Sequence, residues 1–139
     1  MDEALLAAFR RTDYRVRLAE GGWASIRIDQ PLPPRLLSRL DGRPWAFITA
    51  WNPRSERVPR GRNRQAQHRL LAALRELGGG IAIHPALGVA EDGQWREPSL
   101  FVVGADTAHV DPLARQFGQH AYVYGTATSP ARLRRLDEA

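Results

Sequence analysis

Three groups of polar residues interrupt otherwise apolar stretches of this chain, and each carries side chains able to bind a ligand or move a proton. They are Thr49-x-x-Asn52-Pro53-x-Ser55 with Asn63 beyond it, Trp95-x-Glu97-x-Ser99, and Phe117-Gly118-Gln119. In the first, the apolar run Phe47 to Trp51 turns within one residue into Asn-Pro, which reads as a buried strand that stops abruptly. An Arg-rich loop then leads to Asn63 and an amphipathic helix, so Asn52, Ser55 and Asn63 are expected near a strand end and a helix start, where ligands commonly bind. Local structure offers a second reading. Asn52-Pro53-x-Ser55 can be an Asx turn, and Asn63 can be the N-cap of the helix.

Charge gives the first cluster its interest. Arg54, Arg57, Arg60, Arg62 and Arg64 crowd the loop and the first helical turn, where the helix dipole disfavours cations. If that end faces a phosphate or carboxylate, Arg62 and Arg64 reinforce the free backbone amides; otherwise they lie on a solvated loop. In the second cluster, strand alternation puts Trp95, Glu97, Ser99 and Phe101 on one face. A carboxylate between aromatics can have a raised pKa and act as general acid or base, orient a ligand hydroxyl or amine, or pair with an arginine.

The remaining chemistry is excluded more readily. With no cysteine among the 139 residues, disulfides, thiolate catalysis and cysteine-ligated zinc are ruled out, and a reduced cytoplasmic setting is the default. His68, His84, His109 and His120 have no metal-ligand spacing, and no phosphate-loop, Gly-x-Ser-x-Gly or cofactor motif is present, so neither metal nor cofactor is expected. Gly78-Gly79-Gly80 follows a helix and reads as its cap. Met1 to Leu6 opens on acidic residues, unlike a secretory signal, and no apolar run is long enough for a bilayer.

The length suits one domain over residues 1–139 with a core of its own. Periodicity predicts helices over 2–11, 35–40, 63–77 and 106–117, and strands over 14–18, 25–28, 45–51, 81–84, 99–104, 121–124 and 132–136. Pro112 fits as the first helical residue after an Asp111 cap. Only the last few residues are expected to fray. The order predicts an α+β domain with a mixed or mainly antiparallel sheet, one long helix and two or three shorter ones. Leu70, Leu74 and Leu77 are expected to face a sheet containing 45–51 and 100–103.

The formal charge is +5, and all 20 basic residues are Arg. Exclusion of Lys resembles the coding bias of a GC-rich genome, so the high pI is weak support for a nucleic-acid partner. Three readings stay open: binding of a small anionic or nucleotide-like ligand in a cleft formed by Asn52, Ser55, Asn63, Glu97 and Gln119; RNA or protein binding through the Arg-rich loop without catalysis; and a purely structural or regulatory role with no pocket. If there is a reaction, Glu97 is the candidate acid or base.

Taken together and in order, the three clusters resemble a family of small bacterial proteins known as domain of unknown function 3293. The similarity runs from about Tyr14 to about Tyr124 and implies a bacterial source, but no activity. Its recurring polar features fall on Asn52, Ser55, Asn63, Glu97 and Gln119, and imply that the clusters meet in space. His120 and Pro98 depart from its pattern.

Overall fold

In the computed structural model, which describes residues 1–137, the chain forms one antiparallel sheet with helices on both faces. Residues 138 and 139, the very end of the segment expected to fray, lie outside the described residues. The elements in order are α1 (Glu3–Arg11), β1 (Asp13–Arg17), β2 (Trp23–Ile26), α2 (Pro34–Leu40), β3 (Trp45–Ile48), a 3-10 turn (Pro53–Ser55), α3 (Arg60–Glu76), β4 (Ala82–Val89), β5 (Arg96–Val103), α4 (Thr107–Gln116), β6 (Ala121–Gly125) and β7 (Arg132–Arg135). The strands lie in the order β2-β1-β4-β5-β3-β6-β7, and every pairing is antiparallel.

Strand alternation divides the core in two. Tyr14, Val16, Trp45, Phe47, Phe101, Val103 and Val123 point to one face, where Leu36 and Leu40 of α2 and Phe9 of α1 cover them. Ala46, Ile48, Leu100 and Val102 point to the other, against Leu70 and Leu74 of α3 and Val110 and Ala114 of α4. The central strands are apolar on both sides because both sides are covered. As expected, the leucines of the long helix pack on β3 and β5.

Several boundaries differ from the periodicity, each for an identifiable reason. The long helix starts at Arg60, so Asn63 sits inside it and Pro59 takes the cap position. Asp106, rather than Asp111, caps α4 by accepting from the His109 amide, and Pro112 lies within that helix. Asp111 is buried instead: it accepts from the Tyr122 hydroxyl at 2.6 Å and from the Arg134 guanidinium at 2.6 Å and 3.2 Å.

β4 runs on through Pro85 to Val89, five residues beyond the expected end at His84, and the proline is tolerated because β1 pairs only with Ala86 to Val89. Pro98 is tolerated in β5 on the same principle, because β3 pairs only with Leu100 to Val103. β3 itself ends at Ile48, three residues early. Beyond it, side chains replace the ladder: the Ala50 amide donates to Gln67 Oε1 at 2.8 Å, and the Trp51 amide to Thr49 Oγ1 at 3.0 Å.

Leu74 has no exposed surface and lies where α3 meets the sheet. Leu74→Ala is expected to cost about 2–5 kcal/mol through lost burial and a residual cavity, read as a lower urea midpoint at unchanged slope.

Candidate functional site

Where β3 gives up its ladder, the chain end of the sheet opens into a cleft of about 640 Å³. Its floor is laid out by register. Tyr14 of β1, Gly88 of β4 and Glu97 of β5 lie in one row across three strands, all on the face covered by α1. Phe9 and Thr12 close one side, Trp95 the rim, and Thr49, Asn52, Ser55 and Gln119 the side formed by the chain leaving β3 and α4. Gly88 leaves the floor open opposite Glu97. A Cβ there would meet only Glu97 O and Thr12 Cγ2, both at 3.8 Å.

Asn52 and Asn63 form a reciprocal pair. Asn63 Oδ1 accepts from the Asn52 amide at 2.8 Å, Asn63 Nδ2 donates to Asn52 Oδ1 at 2.8 Å and to Val58 O at 3.1 Å, and Asn52 Oδ1 also accepts from the Val58 amide at 3.0 Å. Backbone donors fix both amide orientations. The pair is 6% and 2% exposed, and it holds Asn52 at a left-handed φ of 46°, with Arg54 and Ser55 also at positive φ. Such backbone is costly outside glycine and persists only where surroundings over-determine it. Here the Arg54 amide donates to Gly118 O at 2.6 Å, and Gly118 approaches so closely that an added Cβ would lie 2.8 Å from Pro53 Cβ.

These bonds decide which atoms are left for a ligand. Asn52 lines the cleft with Oδ1 consumed, and its Nδ2 has no partner among the described residues. Gln119 Nε2 donates to Trp51 O at 3.3 Å and Phe117 O at 3.2 Å, leaving Oε1 free to accept. Ser99 is occupied by Glu97 O, and Thr49 Oγ1 donates to Pro98 O. The cleft thus offers an amide donor, an amide acceptor, the Ser55 hydroxyl and the Glu97 carboxyl among largely apolar walls.

Glu97 makes one hydrogen bond, from Trp95 Nε1 to Oε2 at 3.2 Å, and none of the described arginines pairs with it. Burial pushes its carboxyl up from the usual range to about 7, opposed only by the Trp95 bond. Trp95 is itself 39% exposed and carries the Arg57 guanidinium 5.1 Å from its ring centroid. Burial likewise raises the neighbouring Tyr14 hydroxyl, which donates to Phe9 O at 2.6 Å.

Of the residues singled out from sequence, the cleft brings together Asn52, Ser55, Glu97 and Gln119. Asn63 stands behind Asn52 and reaches the cleft only through it. Arg62 and Arg64 are exposed on α3 and do not line it, because a helix beginning at Arg60 turns Asn63 inward and its neighbours outward. The charged lining is Arg11, Glu91, Asp92 and Glu97, with Arg11 3.8 Å from Glu91. Among the described residues, no group of three acids or histidines could hold a metal ion.

Sequence reasoning missed Gln67, which accepts the Ala50 amide, and the contribution of α1. The first has no local signal, since it joins a helix to a strand 17 residues away. The second had one: Leu5 and Phe9 share the apolar stripe of α1, and both line the cleft.

An antiparallel sheet clad on both faces, with this polar cleft at one end, is the architecture on which the comparisons with known proteins fall. Residues 48–122 match the family described as protein of unknown function (DUF3293); the chain belongs to it. The match is shorter than the span of the resemblance read from sequence, yet contains Asn52, Ser55, Asn63, Glu97 and Gln119 and leaves α1 and β1 outside. No curated protein and no solved structure matches the chain.

Two outcomes follow. Because folding disfavours ionisation of Glu97, the unfolded chain ionises first, and stability should fall as pH rises from about 4.5 to about 7. Glu97→Gln should remove that slope from a pH series of melting temperatures. Asn63→Ala strands the Asn52 amide and should cost about 1–3 kcal/mol, measurable by urea unfolding.

Proposed function

We propose that this is a cytoplasmic bacterial protein that binds a small nucleotide-like ligand in the cleft, with the base, rather than a phosphate, at Glu97. The observation that carries this reading is the half-buried Glu97 carboxyl, unpaired with any described arginine and facing a cleft with a free amide donor and a free amide acceptor. A buried acid is normally paired. One held without a cation beside other hydrogen-bonding groups is suited to a ligand that supplies the missing donor.

Ligand class follows from charge and shape. The expected phosphate-binding arginines, Arg62 and Arg64, point elsewhere, and the lining has three carboxylates against one arginine. The lining therefore offers an anion no cluster of cations to hold it. A flat heteroaromatic ring with an N–H edge fits better: its N–H donates to Glu97, its acceptor takes Asn52 Nδ2, its donor takes Gln119 Oε1, and its faces meet apolar surface from Phe9, Phe47 and Trp95. The lining volume is in the range of ordinary small-molecule sites. With a pKa near neutrality, Glu97 can also take or give a proton to such a ring. The cysteine-free composition supports the cytoplasmic setting.

Thermal-shift titration with nucleobases, nucleosides and nucleotides tests the reading. Nucleosides should raise the melting temperature at least as much as their phosphates, Glu97→Gln should weaken binding by roughly tenfold or more, and Gly88→Leu should block it by filling the floor. Binding that requires phosphate, or that survives both substitutions, rejects this site.

A further inference from the structure

The net charge of this chain is confined to one segment. Residues 54–76 contain seven arginines and two acids, Glu56 and Glu76, whereas the rest of the chain has thirteen of each. The seven, Arg54, Arg57, Arg60, Arg62, Arg64, Arg69 and Arg75, are all exposed. None forms an ion pair with a described residue. Elsewhere Arg15, Arg39 and Arg134 are paired with acids.

The fold makes this segment a surface. α3 buries Asn63, Leu70 and Leu74, and its exposed surface carries Arg60, Arg64 and Arg75 with His68 along one flank of that buried stripe and Arg62 and Arg69 along the other. At ~1.5 Å per residue its 17 residues extend this surface over about 25 Å. Arg60 and Arg64, four apart, repel each other, and the first turn holds no acid to offset the dipole. The arrangement lowers helix stability unless an anion lies along it.

We infer that the outward face of α3, with the loop from Arg54 to Arg57, is a docking surface for the phosphate backbone of single-stranded nucleic acid. Arginine suits phosphate because its planar fork donates two bonds at once. A protein or membrane partner fits less well, since both call for apolar anchors: the exposed large apolar side chains are Trp23, Leu37 and Trp95, and none lies on α3. Trp95, stacked with Arg57 at the end of this surface, decides for a single strand. It is an aromatic platform for an unpaired base beside the phosphate-binding groups, which a duplex would leave unused. The arginines of this surface lie outside the cleft, and Trp95, at the cleft rim, is the one residue the two share.

Fluorescence anisotropy with a labelled oligouridine, its DNA counterpart and a DNA duplex tests this, using wild type, Arg60→Gln/Arg62→Gln/Arg64→Gln, and a charge-matched control, Arg10→Gln/Arg35→Gln/Arg132→Gln. The helix variant should lose roughly tenfold or more in affinity for the single strands, and its salt slope should shrink by about 2. The control should stay near wild type, with circular dichroism unchanged throughout. Equal losses in helix and control variants, tighter binding of the duplex, or no binding of single strands at low salt would each overturn the proposal. Preferential binding of the wild type to anionic phosphatidylglycerol vesicles would do the same.

Discussion

The pairing of Asn52 with Asn63 is the constraint on which the rest of this structure depends. One side chain sits at the end of β3, the other inside α3, and four hydrogen bonds join them to each other and to Val58. Two amides that serve each other and the backbone cost little to bury, whereas either one alone would leave stranded groups. Because the pair fixes where α3 begins relative to the strand, it also sets the apolar stripe of Leu70 and Leu74 against the sheet. Because Asn52 Oδ1 is consumed on the inside, its Nδ2 is what remains for the cleft.

The same economy recurs at each place where the sheet is interrupted. Gln67 and Thr49 take over the amides that β3 no longer pairs, and Thr49 also bridges to Pro98 of the neighbouring strand. The prolines of β4 and β5 lie where a neighbour has already run out. A cleft needs strands of unequal length, and unequal strands need substitutes for ladder hydrogen bonds. Polar residues at strand ends here serve the fold first, and the atoms left over, at Asn52, Gln119 and Glu97, face the opening.

What could be read from the sequence follows from this. The leucines of α3, the two-sided apolar strands and the shared face of Glu97, Ser99 and Phe101 were legible, because periodicity reports directly on burial. That the clusters converge was suggested by their interrupting apolar segments, and Asn52, Ser55, Glu97 and Gln119 do share one cleft. Asn63 was misplaced as a cap because an Asn just before a Leu stripe is locally the same signal whether it ends a loop or is buried one turn into a helix. The partner that distinguishes the two, Asn52, is 11 residues away and visible only in space. Arg62 and Arg64 were misdirected by the same error: with Asn63 buried in line with Leu70 and Leu74, the step of ~100° per residue turns both neighbours away from the sheet. Asp111 likewise had the composition of a cap, but its partners Tyr122 and Arg134 come from other strands.

An unpaired buried acid in a chain with twenty arginines requires an account of where those arginines go. Alternation supplies part of it: Glu97 faces the side of the sheet covered by α1 and α2, while the helix that carries most of the excess arginine lies on the other. The helix register supplies the rest. Burying Asn63 turns the flanking arginines toward solvent, where water screens them from Glu97. The one arginine of that segment that comes back to the rim, Arg57, lies over the Trp95 ring, and Trp95 in turn donates to Glu97. The guanidinium thus approaches the acid through an aromatic ring instead of a salt bridge, and burial remains the dominant influence on Glu97. Because Asn63 is buried in line with Leu70 and Leu74, Arg62 and Arg64 on either side of it are turned away from the sheet, and no arginine of α3 lines the cleft. The Asn52–Asn63 pair therefore governs electrostatics as well as packing, keeping the acid of the cleft and the arginines of α3 available to different partners.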